Sequence, residues 1–197
     1  MIRRLPIVST LIVLSAVAAM IGLGVWQLQR AHYKEALLAR YESATGLAPI
    51  AWPSSPLSDR DLPLFRKASG NCLEPVATKA IAGRNLQGES GYSHLVDCRT
   101  GAEGPGMRVD IGWSRDPRDG AHWKGGPVSG VIGSDGEKRI RLVSTAGFAG
   151  LQPSMPPSLE DIPNNHRSYA VQWFLFAAIA LVIYGLAVRS RLRKEAA

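Results

Sequence analysis

The sequence has few of the residues that most catalytic and metal sites require. It contains two cysteines and four histidines, and none of the histidines have the i, i+3 or i+4 spacing of a helical metal site. HExxH, GxSxG, P-loop and GxGxxG patterns are absent, as is the CxxCH motif of covalent haem attachment. The acidic pairs Asp59 with Asp61 and Glu160 with Asp161 lie in proline-rich segments, where we expect them to be solvated. The sequence therefore predicts a protein that is not an enzyme.

Charge is absent from two long apolar segments, one near each end of the chain. No charged residue occurs from Leu5 to Gln29 or from Ser168 to Val188. At about 1.5 Å rise per residue, each segment can cross a hydrocarbon core of roughly 30 Å as one helix. The sequence therefore predicts transmembrane helices at residues 5–26 and 168–188.

The first apolar segment can also be interpreted as a cleavable signal peptide. Arg3 and Arg4 would be its basic start, residues 16–18 would be a small-residue cleavage site, and the mature chain would begin at Ala19. The apolar segment continues to Trp26, however, which is longer than a signal peptide requires. Tryptophan is also typical of the membrane interface, so the sequence favours a spanning helix.

The distribution of basic residues indicates the orientation of the chain. The net charge is +7, but residues 30–167 have 17 basic and 15 acidic residues, so most of the excess lies in the tails at 1–4 and 189–197. Because cytoplasmic flanks are rich in Lys and Arg, we expect both tails to be cytoplasmic, although Arg30, Lys34 and Arg40 conflict with this orientation. The middle has no basic cluster, so nucleic acid is not an expected partner.

The middle of the chain is predicted to be an exported, mainly antiparallel β domain. A helical extension is expected at 27–46 and proline-rich connectors at 47–64 and 146–167, around a β-rich domain at 65–145. Long helical connections for parallel crossovers are missing, which favours a meander or a small barrel.

The clearest strand of this domain is predicted from Met107 to Trp113, where apolar residues alternate with polar ones and glycine, as in a sheet with one buried face. Glycine-containing turns separate it from weaker candidates. These candidates are 65–73, 76–82, 92–98, 127–132 and 139–145.

Cys72 and Cys98 both lie in predicted strands. An oxidising compartment would permit a disulfide between them, but the sequence does not show whether their strands are neighbours. Two buried thiols remain the alternative.

The first segment of functional interest follows the first apolar helix. Trp26, Arg30 and Lys34 lie at i, i+4 and i+8 on one helix face, and Gly24 and Gln27 belong to the same stretch. An aromatic belt with cationic anchors for membrane lipid explains these residue types without any further role.

The second segment precedes the other apolar helix. Asn164 or Asn165 can cap the start of this helix, and Tyr169 and Trp173 suit a second aromatic belt. His166 would then lie in the first helical turn, where the helix dipole disfavours an imidazolium and leaves a ring nitrogen free for a metal or haem iron. An ordinary interfacial histidine is the alternative.

These two segments, with Gly112-Trp113 at the end of the central strand, resemble the Surfeit locus protein family of membrane factors that assist cytochrome c oxidase assembly. The resemblance extends over nearly the whole chain in the order helix, exported domain, helix. Where the family typically has an Asn-Arg pair in the central strand, this chain has Asp110 and Ile111, so a partner contact made by that pair is not expected here. The matching residues are Gly24, Trp26, Gln27, Arg30, Lys34, Gly112, Trp113, Asn164, Asn165, His166, Tyr169, Ala170, Trp173 and Phe174.

The resemblance implies a non-enzymatic role in inserting haem a into the oxidase large subunit or in stabilising it there, in company with other assembly factors. The family's proposed haem ligand is a histidine at the second helix, and only His166 matches it. We expect Trp26 and Trp173 to contact the haem, and Arg30 and Arg167 to pair with its propionates. Apart from this iron, no metal site is predicted.

Two other functions are compatible with the sequence. The protein could be a periplasmic interaction scaffold that binds oxidase subunits without haem, or a membrane enzyme acting on haem or lipid, for which no catalytic group is found. Since the apolar segment begins at Leu5, we expect no mitochondrial transit peptide and hence a bacterial inner-membrane protein.

Overall fold

The computed structural model describes residues 7–102, 106–120 and 122–194. The predicted tail at 1–4 and the last residues of the tail at 189–197 lie outside the described residues. The chain divides into two compact units. Unit 1 combines the described residues up to Leu37 with those from Pro163 onwards, and unit 2 comprises Leu38–Ile162.

Unit 1 contains two long helices, one of which continues beyond Leu37 into unit 2. α1 extends from Ile7 to Thr45 without a break, and α2 extends from His166 to Lys194. Both are long and apolar enough to cross a membrane, because each contains one of the charge-free segments. Among the described residues, α1 thus includes the predicted span from residue 7 onwards and the predicted helical extension up to Thr45 as one helix. It ends before Gly46, a residue that often terminates helices.

The two helices of unit 1 bury small residues at a common interval. The buried residues of α1 are Val17, Gly24 and Ala31, and those of α2 are Ala170 and Ala177, so in both helices the interval is seven residues. A seven-residue repeat keeps one helix face turned to its partner, and small residues allow close approach where the surroundings are apolar. The repeat therefore defines a helix–helix seam.

Unit 2 contains one sheet with seven strands among the described residues. Each of the six predicted strands has a counterpart, and a two-residue strand precedes them. The strands are β1 (Ile50–Ala51), β2 (Lys67–Cys72), β3 (Glu74–Arg84), β4 (Ser90–Arg99), β5 (Met107–Ser114), β6 (Gly126–Asp135) and β7 (Arg139–Ser144).

Most strand pairs are antiparallel, as predicted, but the expected antiparallel meander is wrong, because the sheet is mixed. Its strand order is β1-β2-β6-β7-β5-β4-β3, with β1 and β3 at the two edges. β1 pairs with β2 and β5 pairs with β7 in parallel, whereas the other neighbours are antiparallel. No long helix is needed for the β5–β7 pairing, because β6 returns on the far side of β7 and reverses the chain direction once more.

β5 is the central strand of the core, and it is buried on both faces. Every residue from Met107 to Trp113 is buried, which corrects the prediction of one buried face. The polar side chains of β5 can be buried because they have partners. Arg108 pairs with carboxylates, and Asp110 accepts hydrogen bonds from nearby donors. The apolar positions pack with Val96, Val128, Ile132, Ile140 and Leu142.

Cys72 and Cys98 form a disulfide, with their Cα atoms 5.2 Å apart. Their strands, β2 and β4, are not neighbours in the sheet order. The chain turns from β2 into β3 directly after Cys72, and β3 pairs with β4, so the corner brings the two cysteines together. A backbone hydrogen bond from Leu73 N to Arg99 O, 2.9 Å long, supports the same corner.

Candidate functional site

The strongest candidate site joins the two helices of unit 1 at His166. His166 is the first residue of α2, as expected for a residue of the first turn, and its Nδ1 lies 2.7 Å from Oε1 of Gln27 on α1. An amide oxygen only accepts hydrogen bonds, so Nδ1 is the donor. In the neutral ring the proton is then on Nδ1, and Nε2 keeps its lone pair.

This arrangement is the one that metal-binding histidines usually have. A histidine ligand generally donates its other ring N–H to a carbonyl or carboxylate, which fixes both the tautomer and the ring orientation. Gln27 supplies such a carbonyl and His166 is half-buried. The pair therefore has the hydrogen bonding of a histidine that could bind a metal or haem iron through Nε2.

Arg167, the next residue of α2, makes a two-point ion pair with Glu35 of α1. Its Nε lies 2.6 Å from Oε1 and its Nη2 lies 2.9 Å from Oε2 of Glu35. The hydrogen bond from Arg167 lowers the pKa of the Glu35 carboxyl, and the same bond raises the pKa of Arg167. The guanidinium proposed for a haem propionate is thus already bound to a carboxylate.

The aromatic and basic residues of α1 differ in their surroundings. Trp26 is 53% exposed, and the Arg30 guanidinium lies 5.5 Å from the ring centre of Tyr33, a cation–π contact. Over the described ranges of the chain, neither Arg30 nor Lys34 has a carboxylate within ion-pair distance. Arg30 is therefore the more available of the two arginines proposed for propionate binding.

Gly24 of α1 lies directly against the ring of Phe174 of α2. A Cβ atom at Gly24 would lie 2.6 Å from the Phe174 ring, which is closer than nonbonded carbon atoms approach. Trp173, beside Phe174, is half-buried and packs edge-on against Phe176, with ring centres 6.3 Å apart. The glycine of the first motif thus accommodates an aromatic side chain of the second.

The residues before α2 position its first turn. Asn165 O accepts the first helical hydrogen bond, from Tyr169 N at 3.2 Å, so Asn165 occupies the N-cap position. The Oδ1 atom of Asn164 is buried and has no hydrogen-bond partner in the part of the chain that the structure describes. Tyr169 itself is half exposed.

Gly112 and Trp113 lie in unit 2 and have a structural role there. Gly112 has φ +140°, and a Cβ atom on it would lie 2.6 Å from Gln152 O, so only glycine fits. Trp113 is buried and exchanges backbone hydrogen bonds of 2.6 and 3.0 Å with Gln152. This pair therefore attaches the second connector to β5.

A second histidine, His94, makes a contact that superficially resembles a catalytic pair. Its Nε2 lies 2.9 Å from Ser114 Oγ, and burial lowers the pKa of His94. The Ser114 hydroxyl donates to Asp116 O at 2.8 Å, however, so its proton is not directed at the ring and the serine is not activated. Within the described residues, no group of three His, Cys, Asp or Glu side chains could hold a metal ion.

Sequence reasoning identified His166 but missed the role of Gln27. The sequence does contain a signal for this role. Gln27 is an uncharged polar residue near the end of an apolar segment, where its amide needs a hydrogen-bond partner. The repeat of Val17, Gly24 and Ala31 was also visible in the sequence. It indicates which face of α1 meets α2, and hence which polar residues lie near that face.

Comparison with known families gives one match, to the SURF1 family, over residues 14–178. The match includes most of the chain and contains both helix-end segments and the β domain. No curated protein matches the chain.

Proposed function

The chain belongs to the SURF1 family, a family associated with cytochrome c oxidase assembly. We propose that this protein holds haem a while the haem is transferred to the oxidase large subunit or stabilised there. The observation that carries the haem part of this proposal is the hydrogen bond between His166 Nδ1 and Gln27 Oε1. It leaves Nε2 as the unprotonated nitrogen of the neutral ring, which is the form that binds iron.

Each residue of the site has a defined part in this proposal. His166 would bind the haem iron through Nε2, and Gln27 would orient the ring through the opposite nitrogen. Trp26 and Trp173 supply apolar surface to the macrocycle. Arg30 pairs with a propionate. When bound, the haem is the cargo, and the protein contributes its orientation and retention.

Arg167 differs from Arg30, because its guanidinium already forms an ion pair with Glu35. A propionate can bind it only by replacing the Glu35 carboxylate, an exchange between two carboxylates. We propose that Glu35 neutralises Arg167 while the site is empty of haem.

The membrane arrangement is part of the same proposal. α1 and α2 each cross a bacterial inner membrane once, with both termini in the cytoplasm and unit 2 in the periplasm. The Cys72–Cys98 disulfide supports an oxidising compartment for unit 2. A span of about 20 residues leaves the remainder of α1 outside the hydrocarbon core.

The test is the haem content of the full-length protein, purified in detergent from cells that make haem a. We expect His166→Ala to lose the haem absorbance, while His32→Ala, a change at an exposed histidine of α1, retains it. A thermal unfolding midpoint near that of the wild type would show that the variant folds. Equal haem content in the two variants contradicts the ligand assignment.

The alternative function, an interaction scaffold that binds oxidase subunits without haem, is favoured by one observation. β3 is an edge strand of eleven residues with mostly exposed side chains, and such edges accept strands from other chains. Crosslinking of the wild-type protein to oxidase subunits, together with absence of haem from the purified protein, would favour the scaffold.

A further inference from the structure

Unit 2 contains a cavity of about 610 Å³ beneath the first connector. This volume is within the range of roughly 300–1,000 Å³ that is typical of small-molecule sites. The cavity lies where the C-terminal end of β4 meets the N-terminal ends of β5 and β7, with part of the connector, residues 52–62, on its other side. It involves none of the residues of the proposed haem site.

The connector is fastened at both sides of the cavity. Trp52 donates its indole N–H to Gly106 O at 3.0 Å, and Arg139 donates to Leu57 O and pairs with Asp59. Arg139 adopts φ +70°, a left-handed conformation that is costly for a residue with a side chain. The two attachments keep the intervening prolines over an open space instead of letting them collapse onto the sheet.

The inner wall of the cavity is apolar. Met107, Ile140 and Cys98 are buried residues that line it, and Leu62 and Trp52 line it from the connector. An apolar occupant is favoured against this wall, because its contact with the wall removes apolar surface from water.

Most charges at the rim are already neutralised. Arg108 is held by Asp97, Asp135 and Glu137, Arg99 pairs with Glu74, and Arg139 pairs with Asp59. Glu137 is shared with Lys79.

Lys138 is different, since it lines the cavity without an ion-pair partner among the residues described. Among the described residues, its ammonium group is thus the positive charge at the rim that no carboxylate neutralises.

We propose that this cavity binds an aliphatic carboxylate, with the alkyl chain against Met107 and Ile140 and the carboxylate at Lys138. The argument is charge complementarity. After the internal pairs are taken into account, a molecule with an apolar body and one negative charge satisfies both the wall and the lysine. A cationic amphiphile of the same length lacks this match, and a neutral one gains only the apolar contact.

The experiment uses the full-length protein in nanodiscs of zwitterionic lipid. Octanoate and octylammonium are titrated into separate samples by isothermal titration calorimetry, and the heats measured with empty nanodiscs are subtracted. We expect saturable binding of octanoate and none of octylammonium. Lys138→Glu should weaken octanoate binding by about tenfold, because an attraction becomes a repulsion. The matched change Lys124→Glu, at an exposed lysine of unit 2 that does not line the cavity, should leave octanoate binding unchanged.

A second variant fills the space instead of changing the charge. Val76 lines the cavity and is 64% exposed, so Val76→Trp should fold and should abolish octanoate binding. The proposal is overturned if octanoate fails to bind saturably, if octylammonium binds as well as octanoate, or if Lys138→Glu and Lys124→Glu have equal effects.

Discussion

Ser154 donates its hydroxyl hydrogen to the buried carboxyl of Asp110, with 2.6 Å between Oγ and Oδ1. The bond joins the second connector to β5, and Gly112 N donates to the same oxygen at 3.2 Å. Burial raises the pKa of Asp110 in spite of these donors. The folded protein therefore binds a proton at Asp110 at pH values where the unfolded chain has released it.

Asp110→Asn should remove a pH dependence of stability. Because the folded pKa of Asp110 is raised, the wild-type protein loses stability as pH rises from the ordinary range of an aspartate, roughly pH 4, towards the folded pKa. Asparagine has similar shape and does not titrate. We expect the unfolding midpoint of the variant to fall less than that of the wild type as pH rises from about 4 to neutrality. An unchanged pH profile would show that Asp110 does not titrate differently in the two states.

The double change Cys72→Ala and Cys98→Ala should destabilise unit 2 by about 3 kcal/mol, since the disulfide closes a loop with a sequence separation of 26. Both cysteines are buried, so reductant should act on the folded wild-type protein slowly and only through unfolding. Thermal unfolding with and without dithiothreitol measures both effects. Rapid reduction at a temperature well below the midpoint would contradict the burial argument.

Gly24→Leu should separate the two helices of unit 1, because its side chain would occupy the position of the Phe174 ring. We expect a lower unfolding midpoint and loss of haem. Gly22→Leu is the matched control, since a Cβ atom on Gly22 meets nothing within 4 Å. Adding Phe174→Ala to Gly24→Leu should restore part of the stability, and equal effects of the two leucines would contradict the contact.

Gln27→Leu should weaken haem binding by about 10- to 100-fold, the usual effect of removing the group that orients a histidine ligand. The protein should still fold, because the change exchanges one uncharged side chain for an apolar one on an apolar helix. Gln29→Leu, at an exposed position of α1, is the control. Haem titration of the apo protein measures the difference, and equal affinities in the two variants would assign Gln27 a packing role only.

The helices and strands could be predicted because their signals are local. The charge-free segments determine α1 and α2, and alternation with glycine-rich turns determines the six strands. His166 could be placed at the start of α2 because the prolines and asparagines before it mark a helix end.

The arrangement of these elements depends on distant residues and could not be predicted. The β5–β7 pairing depends on where β6 docks, which turn signals do not specify. Gln27 and His166, like Cys72 and Cys98, are far apart in the sequence. The packing of the helices and strands that carry them brings each pair together. A polar residue in an alternating strand is normally interpreted as exposed. The burial of Arg108 depends on three carboxylates from other segments of the chain, which the strand pattern does not indicate.

The equal seven-residue interval on α1 and α2 leaves the helix pair with a choice of registers. Moving one helix along the other by seven residues, about 10 Å, brings small residues opposite small residues again. Such a shift would separate Gln27 from His166 and Glu35 from Arg167, and would remove the Phe174 ring from Gly24. The ion pair, the histidine–glutamine hydrogen bond and the fit of Phe174 against Gly24 therefore select one alignment out of those that the repeat of small residues alone permits.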